Sequence, residues 1–152
     1  MDLVQRLEAI EEIKQLKARY FRCLDTKDWD GFADVFTPDA RMDMSGEVRG
    51  RNDDGVTTGN RDIAAFVRRM VGDVTTVHHG HTPELEVTSP NTATGVWAME
   101  DKLRWPEGAP LAAMHGYGHY HDRYEMADGR WRIKSTTLTR LRVDFEPGAT
   151  RG

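Results

Sequence analysis

The hydrophobic period of this chain changes once, near Val74, and that change limits the fold more than any single motif does. Upstream, Leu3, Leu7, Ile10, Ile13, Leu16, Tyr20 and Leu24 recur every three or four positions from Asp2 to about Leu24. This is the stripe of an amphipathic helix, and Asp2 with Gln5 makes a capping box at its start. A shorter helix is expected over "DWDGFADVF", capped by Asp28, with Trp29, Phe32 and Phe36 on one side and Pro38 as its stop. Arg41 to Met44 reads as a short strand. The polar, glycine-dotted stretch "SGEVRGRNDDGVTTGN" reads as a lid or a surface excursion, after which Asn60 caps a third helix that buries Ile63, Phe66, Val67 and Met70. Downstream the period is 2, and the turn signals "SPNTATG", "PEGAP" and "ADGR" separate four long antiparallel strands, roughly 77–88, 94–105, 111–126 and 130–145. Helices first and a meandering sheet afterwards make an α+β domain. A curved sheet closed on one side by three helices forms a cone with an interior pocket. Residues 1–146 are read as that one domain and 147–152 as a tail.

A length of 152 residues supplies one sizeable core, so any site must lie inside or beside it. Basic and acidic side chains number 21 and 25, and neither sign forms a long block. That argues against nucleic acid or an anionic membrane as the main partner, since both select a concentrated basic surface. Cys23 is the lone cysteine, which excludes an intramolecular disulfide and a Cys-rich zinc module. The charged start "MDLVQRLEAIEEIKQ" has no apolar signal-peptide core, and no run approaches the roughly 20 apolar residues a bilayer needs. The expectation is a cytoplasmic protein acting on a small molecule.

The strand "GVWAMEDKLRWP" separates its faces cleanly. Val96, Ala98, Glu100, Lys102 and Arg104 share one parity, and Trp97, Met99, Asp101, Leu103 and Trp105 the other. Asp101 therefore stands on the apolar face, where an ionised carboxylate requires a cationic or hydrogen-donating partner. Either it is a structural acid paired with an arginine, or it orients a histidine that acts as a general base. Candidate histidines crowd into "VHHGHTPELEV". His79 and His81 share the parity of Leu85 and Val87, His78 has the opposite one, and a bulge at Gly80 or a break at Pro83 would invert the faces upstream. Periodicity leaves the choice open. Tyr20 lies on the helical stripe and Asp25 at the helix end, as a core tyrosine and a cap or as a donor and a second acid. The clusters "HHGH" and "HGYGHYH" raise a metal site, but no Cys or Glu cluster completes the ligand set. His115, His119 and His121 share the parity of Arg123 and Glu125, so they are expected at solvent or a subunit interface and no metal is expected.

"RYFRCLDTKDWD" followed by "HHGHTPELEVTSPNTATGVWAMED" resembles the SnoaL-like branch of the NTF2-like superfamily. Bile-acid 7α-dehydratases are the nearest in likeness, with scytalone dehydratases and a lindane dehydrochlorinase more distant. The resemblance implies a cone fold and a lyase without cofactor that removes water after abstracting a proton from carbon. It places the catalytic tyrosine at Tyr20, the helix-end aspartate at Asp25, the histidine base at His78 and the aspartate behind that histidine at Asp101. His79 departs from the apolar residue expected there, and His81 belongs to the motif without a known duty. It also implies a homo-oligomer, a trimer before a dimer. Expected walls for a hydrophobic cyclic or aromatic alcohol, steroid-like or aromatic, are Trp29, Phe36, Met44, Phe66, Trp97, Met99, Met114 and Tyr120, with His81 counted among the substrate contacts. The same cone also serves carbon–carbon lyases that release formaldehyde from lignin-derived diarylpropanes, ketosteroid isomerases and non-catalytic binding modules, so fold alone does not select the reaction.

Overall fold

The computed structural model describes residues 1–47 and 54–149; positions 48–53 of the polar stretch and the last three residues of the expected tail lie outside the described residues. Helix α1 spans Leu3–Asp25, α2 Trp29–Asp34 and α3 Asn60–Val71. The strands are β1 Phe36–Asp43, β2 Val56–Thr58, β3 Thr75–Ser89, β4 Thr92–Arg104, β5 Leu111–Ala127 and β6 Arg130–Pro147. They form one sheet in the order β2-β1-β6-β5-β4-β3. Every described pairing is antiparallel except β1 with β6. The helices pack on one side of this curved, mixed sheet, which is the α+β cone.

The capping box forms at α1. Asp2 accepts from the Gln5 amide at 2.9 Å, and the Gln5 side chain accepts from the Asp2 amide at 2.9 Å. The apolar stripe behaves differently along its length. Leu3 and Leu7 stay exposed, while Ile13, Leu16, Tyr20 and Leu24 are buried. Lys17 is buried among them, a position the polar residue type hides from a hydrophobic pattern.

Three local expectations shift. Helix α2 stops at Asp34, and Phe36 belongs to β1, which begins five residues before the expected strand. Pro38 is accommodated because the β1–β6 register is irregular between Phe36 and Arg41, so the missing N–H breaks no regular ladder. Gly59, with φ of 96°, occupies the N-cap of α3 instead of Asn60. A β-carbon would be strained in that left-handed conformation, whereas glycine adopts it freely. At the C-terminus, the Gly148 amide donates to the Pro110 carbonyl at 2.9 Å, so the expected tail is tied to the β4–β5 turn at its root.

The closed end of the cone holds a charge. Lys17 Nζ donates to Asp122 Oδ2 at 2.8 Å, and neither side chain has any solvent exposure. Tyr124 OH donates to the same oxygen at 2.8 Å, Thr136 Oγ1 to Oδ1 at 2.6 Å, and Trp97 Nε1 to Tyr124 OH at 2.8 Å. The ammonium also lies 4.2 Å from the Tyr20 ring centre and 3.9 Å from that of Tyr120. Burial pulls the Lys17 pKa below its ordinary value, against the opposing pull of Asp122.

Candidate active site

The register of β3 settles which histidine turns inward. His78 pairs directly across from Asp101, and the ladder slips between Gly80 and Pro83. That irregularity inverts the alternation, so Leu85 and Val87 face the core downstream of it while His78 faces the core upstream. His79 and His81 fall on the outer face. With His115 they surround Glu100, at 3.8, 3.7 and 2.9 Å between nitrogen and oxygen. Among the described residues, no group of three or more His, Cys, Asp or Glu is arranged to hold a metal ion.

Asp25, from the last turn of α1, grips His78 twice. Its Oδ1 lies 2.7 Å from His78 Nδ1, and its Oδ2 accepts from the His78 amide at 2.9 Å. Thr76 Oγ1 donates to the same carboxylate at 2.9 Å and accepts from Lys27 Nζ at 2.9 Å. Burial pushes the Asp25 carboxyl upward, but the bonds from His78 and Thr76 outweigh it and hold its pKa below the ordinary value. An ionised Asp25 requires the proton of a neutral His78 to sit on Nδ1, which leaves Nε2 as an acceptor.

Nε2 lies 3.8 Å from Asp101 Oδ2, outside hydrogen-bond range. Asp101 is instead held by Arg140 of β6 in a two-pronged pair, Nη1 to Oδ1 at 2.7 Å and Nη2 to Oδ2 at 3.0 Å. Arg140 Nε also donates to Glu47, in the short 3-10 turn Ser45–Glu47 that follows β1. Burial would lower the Arg140 pKa, but its bonds to Asp101 and Glu47 raise it further above its ordinary value. Gly116 stands opposite Asp101 on β5, and a β-carbon there would collide with both Asp101 and Arg140. The absent side chain is what admits the pair.

These groups open on a cavity of about 210 Å³ between the sheet and α3. Tyr20, His78, Asp101, Glu47, Arg140 and Tyr120 supply its polar edge, and Leu24, Met42, Phe66, Val67, Leu103 and Leu138 are among its apolar walls. Burial, followed by the negative charge of Asp122, raises the Tyr20 hydroxyl above its ordinary pKa. Tyr20 is therefore a protonated donor at neutral pH. Tyr120, whose ring centre is 5.7 Å from that of Tyr20, is raised by burial as well.

Several sequence expectations are corrected by this placement. Asp25, not Asp101, is the aspartate behind the histidine, because the helix end reaches Nδ1 whereas Asp101 is taken up by Arg140. Of the expected walls, Met44, Phe66, Met114 and Tyr120 line the cavity. Phe36, Trp97 and Met99 are buried in the surrounding core, and Trp29 packs edge-on to Phe32 beneath it. His81 is on the outer face. Sequence reasoning missed Arg140 and Glu47. Arg140 carried a usable signal, since it shares the parity of buried Thr136 and Leu138, and Asp101 called for a cation. Glu47, in a polar stretch without period, carried none.

A SnoaL-like domain model matches residues 5–137. The chain is 25% identical over 138 residues to the "Probable cyclase FGR4" of Gibberella zeae, covering 88% of this chain and 92% of that protein. Its fold superposes on a type 2 hexachlorocyclohexane dehydrochlorinase (LinA) with a TM-score of 0.82 at 18% identity, covering 99% and 97% of the two chains. A scytalone-dehydratase-like protein of Novosphingobium aromaticivorans gives 0.80 at 18% identity, covering 99% of each. The chain belongs to the SnoaL-like domain family, and the solved structures share its cone fold.

Proposed function

We propose that this SnoaL-like protein is a lyase acting without cofactor, a dehydratase of a hydrophobic cyclic alcohol, with His78 as its base. The observation that carries the reading is the polarised imidazole: Nδ1 is held by an ionised Asp25 while Nε2, at the edge of the cavity, has no hydrogen-bond partner among the described residues. Nε2 takes a proton from a carbon made acidic by a neighbouring carbonyl or arene, and the electron pair of that C–H bond moves into the conjugated system. Tyr20, a protonated hydroxyl at the cavity edge, donates a hydrogen bond to the developing oxyanion. The pair then returns to form the new double bond, the C–O bond breaks, and the imidazolium gives its proton to the departing hydroxide. Atoms and charge balance, with water as the leaving product. The low-dielectric wall strengthens each of these interactions.

Elimination or rearrangement chemistry in this fold is supported by its relatives, which are named as a probable cyclase, a dehydrochlorinase and a scytalone-dehydratase-like protein. The test is a turnover screen of chelator-treated protein against cyclic β-hydroxy ketones and lignin-derived diaryl diols, with products read by mass. Loss of water without added metal is expected. Loss of formaldehyde would replace dehydration by carbon–carbon cleavage. An unchanged mass with a shifted double bond would replace it by isomerisation, and saturable binding without any product would make the cone a binding module.

A further inference from the structure

We infer that the cavity accepts an uncharged ring system of one or two fused rings, and that Glu47 is the residue that makes it reject anions. The inference rests on the cavity being the substrate site. The cavity measures about 210 Å³. A dry protein cavity of about 150 Å³ holds a benzene-sized molecule, and pockets for drug-sized ligands begin at about 300 Å³. A one- or two-ring compound falls between those marks.

Arg140 is the cation at the cavity wall among the described residues, and two carboxylates neutralise it: Asp101 takes both terminal nitrogens and Glu47 takes Nε. Asp25 adds a third carboxylate behind His78, with Lys27 reaching it through Thr76. An anionic substituent brought to this wall would lose its water and meet carboxylates with, among the described residues, no free cation to receive it. Glu47 is the adjustable member. It comes from a short turn outside the sheet, whereas Asp101 is locked in the β4 ladder opposite Gly116. Neutralising Glu47 would leave one carboxylate, Asp101, to balance the guanidinium, and an under-compensated guanidinium attracts carboxylates.

Probes that cannot lose water by β-elimination read the cavity apart from its chemistry, so failure here is separable from failure of the dehydratase reading. At pH 7, wild-type protein is titrated by calorimetry with 2-naphthol, with 2-naphthoate, which has the same rings plus a carboxylate, and with a four-ring neutral steroid; Glu47→Gln is titrated with the two naphthalenes. The expected result is wild-type binding of naphthol about tenfold or more tighter than of either other probe, with the naphthol-to-naphthoate ratio narrowed in Glu47→Gln. Equal or tighter binding of naphthoate, steroid binding as tight as naphthol, an unaltered ratio in the variant, or no binding of naphthol would each overturn the inference.

Discussion

The interior of this cone buries charge at both of its ends, and the two ends treat it differently. At the closed end, Lys17 and Asp122 have no solvent exposure. Asp122 accepts from Lys17, Tyr124 and Thr136, so both of its oxygens are engaged. At the open end, Asp101 and Asp25 are also engaged, by Arg140 and by His78 with Thr76. There, however, among the described residues one nitrogen of His78 has only a 3.8 Å approach to Asp101, and it borders the cavity. Burying an ion pair is therefore not the mark of a site. Reactivity belongs where the pairing is complete for all groups but one, and where that one borders a cavity large enough for a reactant.

Substitutions at the two ends should separate accordingly. The largest expected effect is His78→Ala, lowering kcat/KM by about 10²- to 10⁴-fold while the melting temperature stays near that of the wild type. A collapse of stability with no specific loss of turnover would make His78 a structural residue like those at the closed end. Next is Lys17→Met, expected to cost about 3–5 kcal/mol of stability because it strands the Asp122 charge. Adding Asp122→Leu should recover most of that loss, and equilibrium denaturation of the two variants measures it. If the single variant is as stable as the double one, the buried pair is not what closes that end.

The smallest effect concerns acid stability. The folded pKa of Asp25 is lowered, so its contribution is fully present above the unfolded value, about 3.9, and is lost as pH falls through the lower folded value. Asp25→Asn should therefore be less stable than wild type near neutrality, with the gap closing across that acid window. Melting curves from pH 7 to strong acid test it, and a gap independent of pH would place the effect in packing instead.

Much of the architecture was legible in the chain because it follows from neighbouring residues. The switch of period near Val74, the capping box at Asp2 and the turn signals between the long strands all describe local geometry, and the helices and strands form there. The placement of Asp101 on an inward face was equally readable from the alternation in β4. The type of its partner was foreseeable, but its identity was not, since Arg140 is 39 residues away and His78 reached the same neighbourhood by another route. The early start of β1 and its parallel pairing with β6 were also hidden, because that pairing joins segments distant in the chain. The six histidines illustrate the limit most sharply. Composition marked them as interesting, yet one bulge between Gly80 and Pro83 decides that His78 faces inward while His79 and His81 face out.

By itself, then, the sequence determined the class of fold, the elements that build it and the residue types from which a base and its support could be drawn, because these depend on side-chain period and backbone preference over a few positions. Only the tertiary structure decided that Asp25 holds the imidazole, that Arg140 and Glu47 close around Asp101, and that Trp97 and Met99 pack the core instead of lining the cavity. The physical reason is that hydrogen bonds and cavity walls act over a few ångströms in space, and the groups they join are set by strand register and helix docking, which no local stretch of chain encodes.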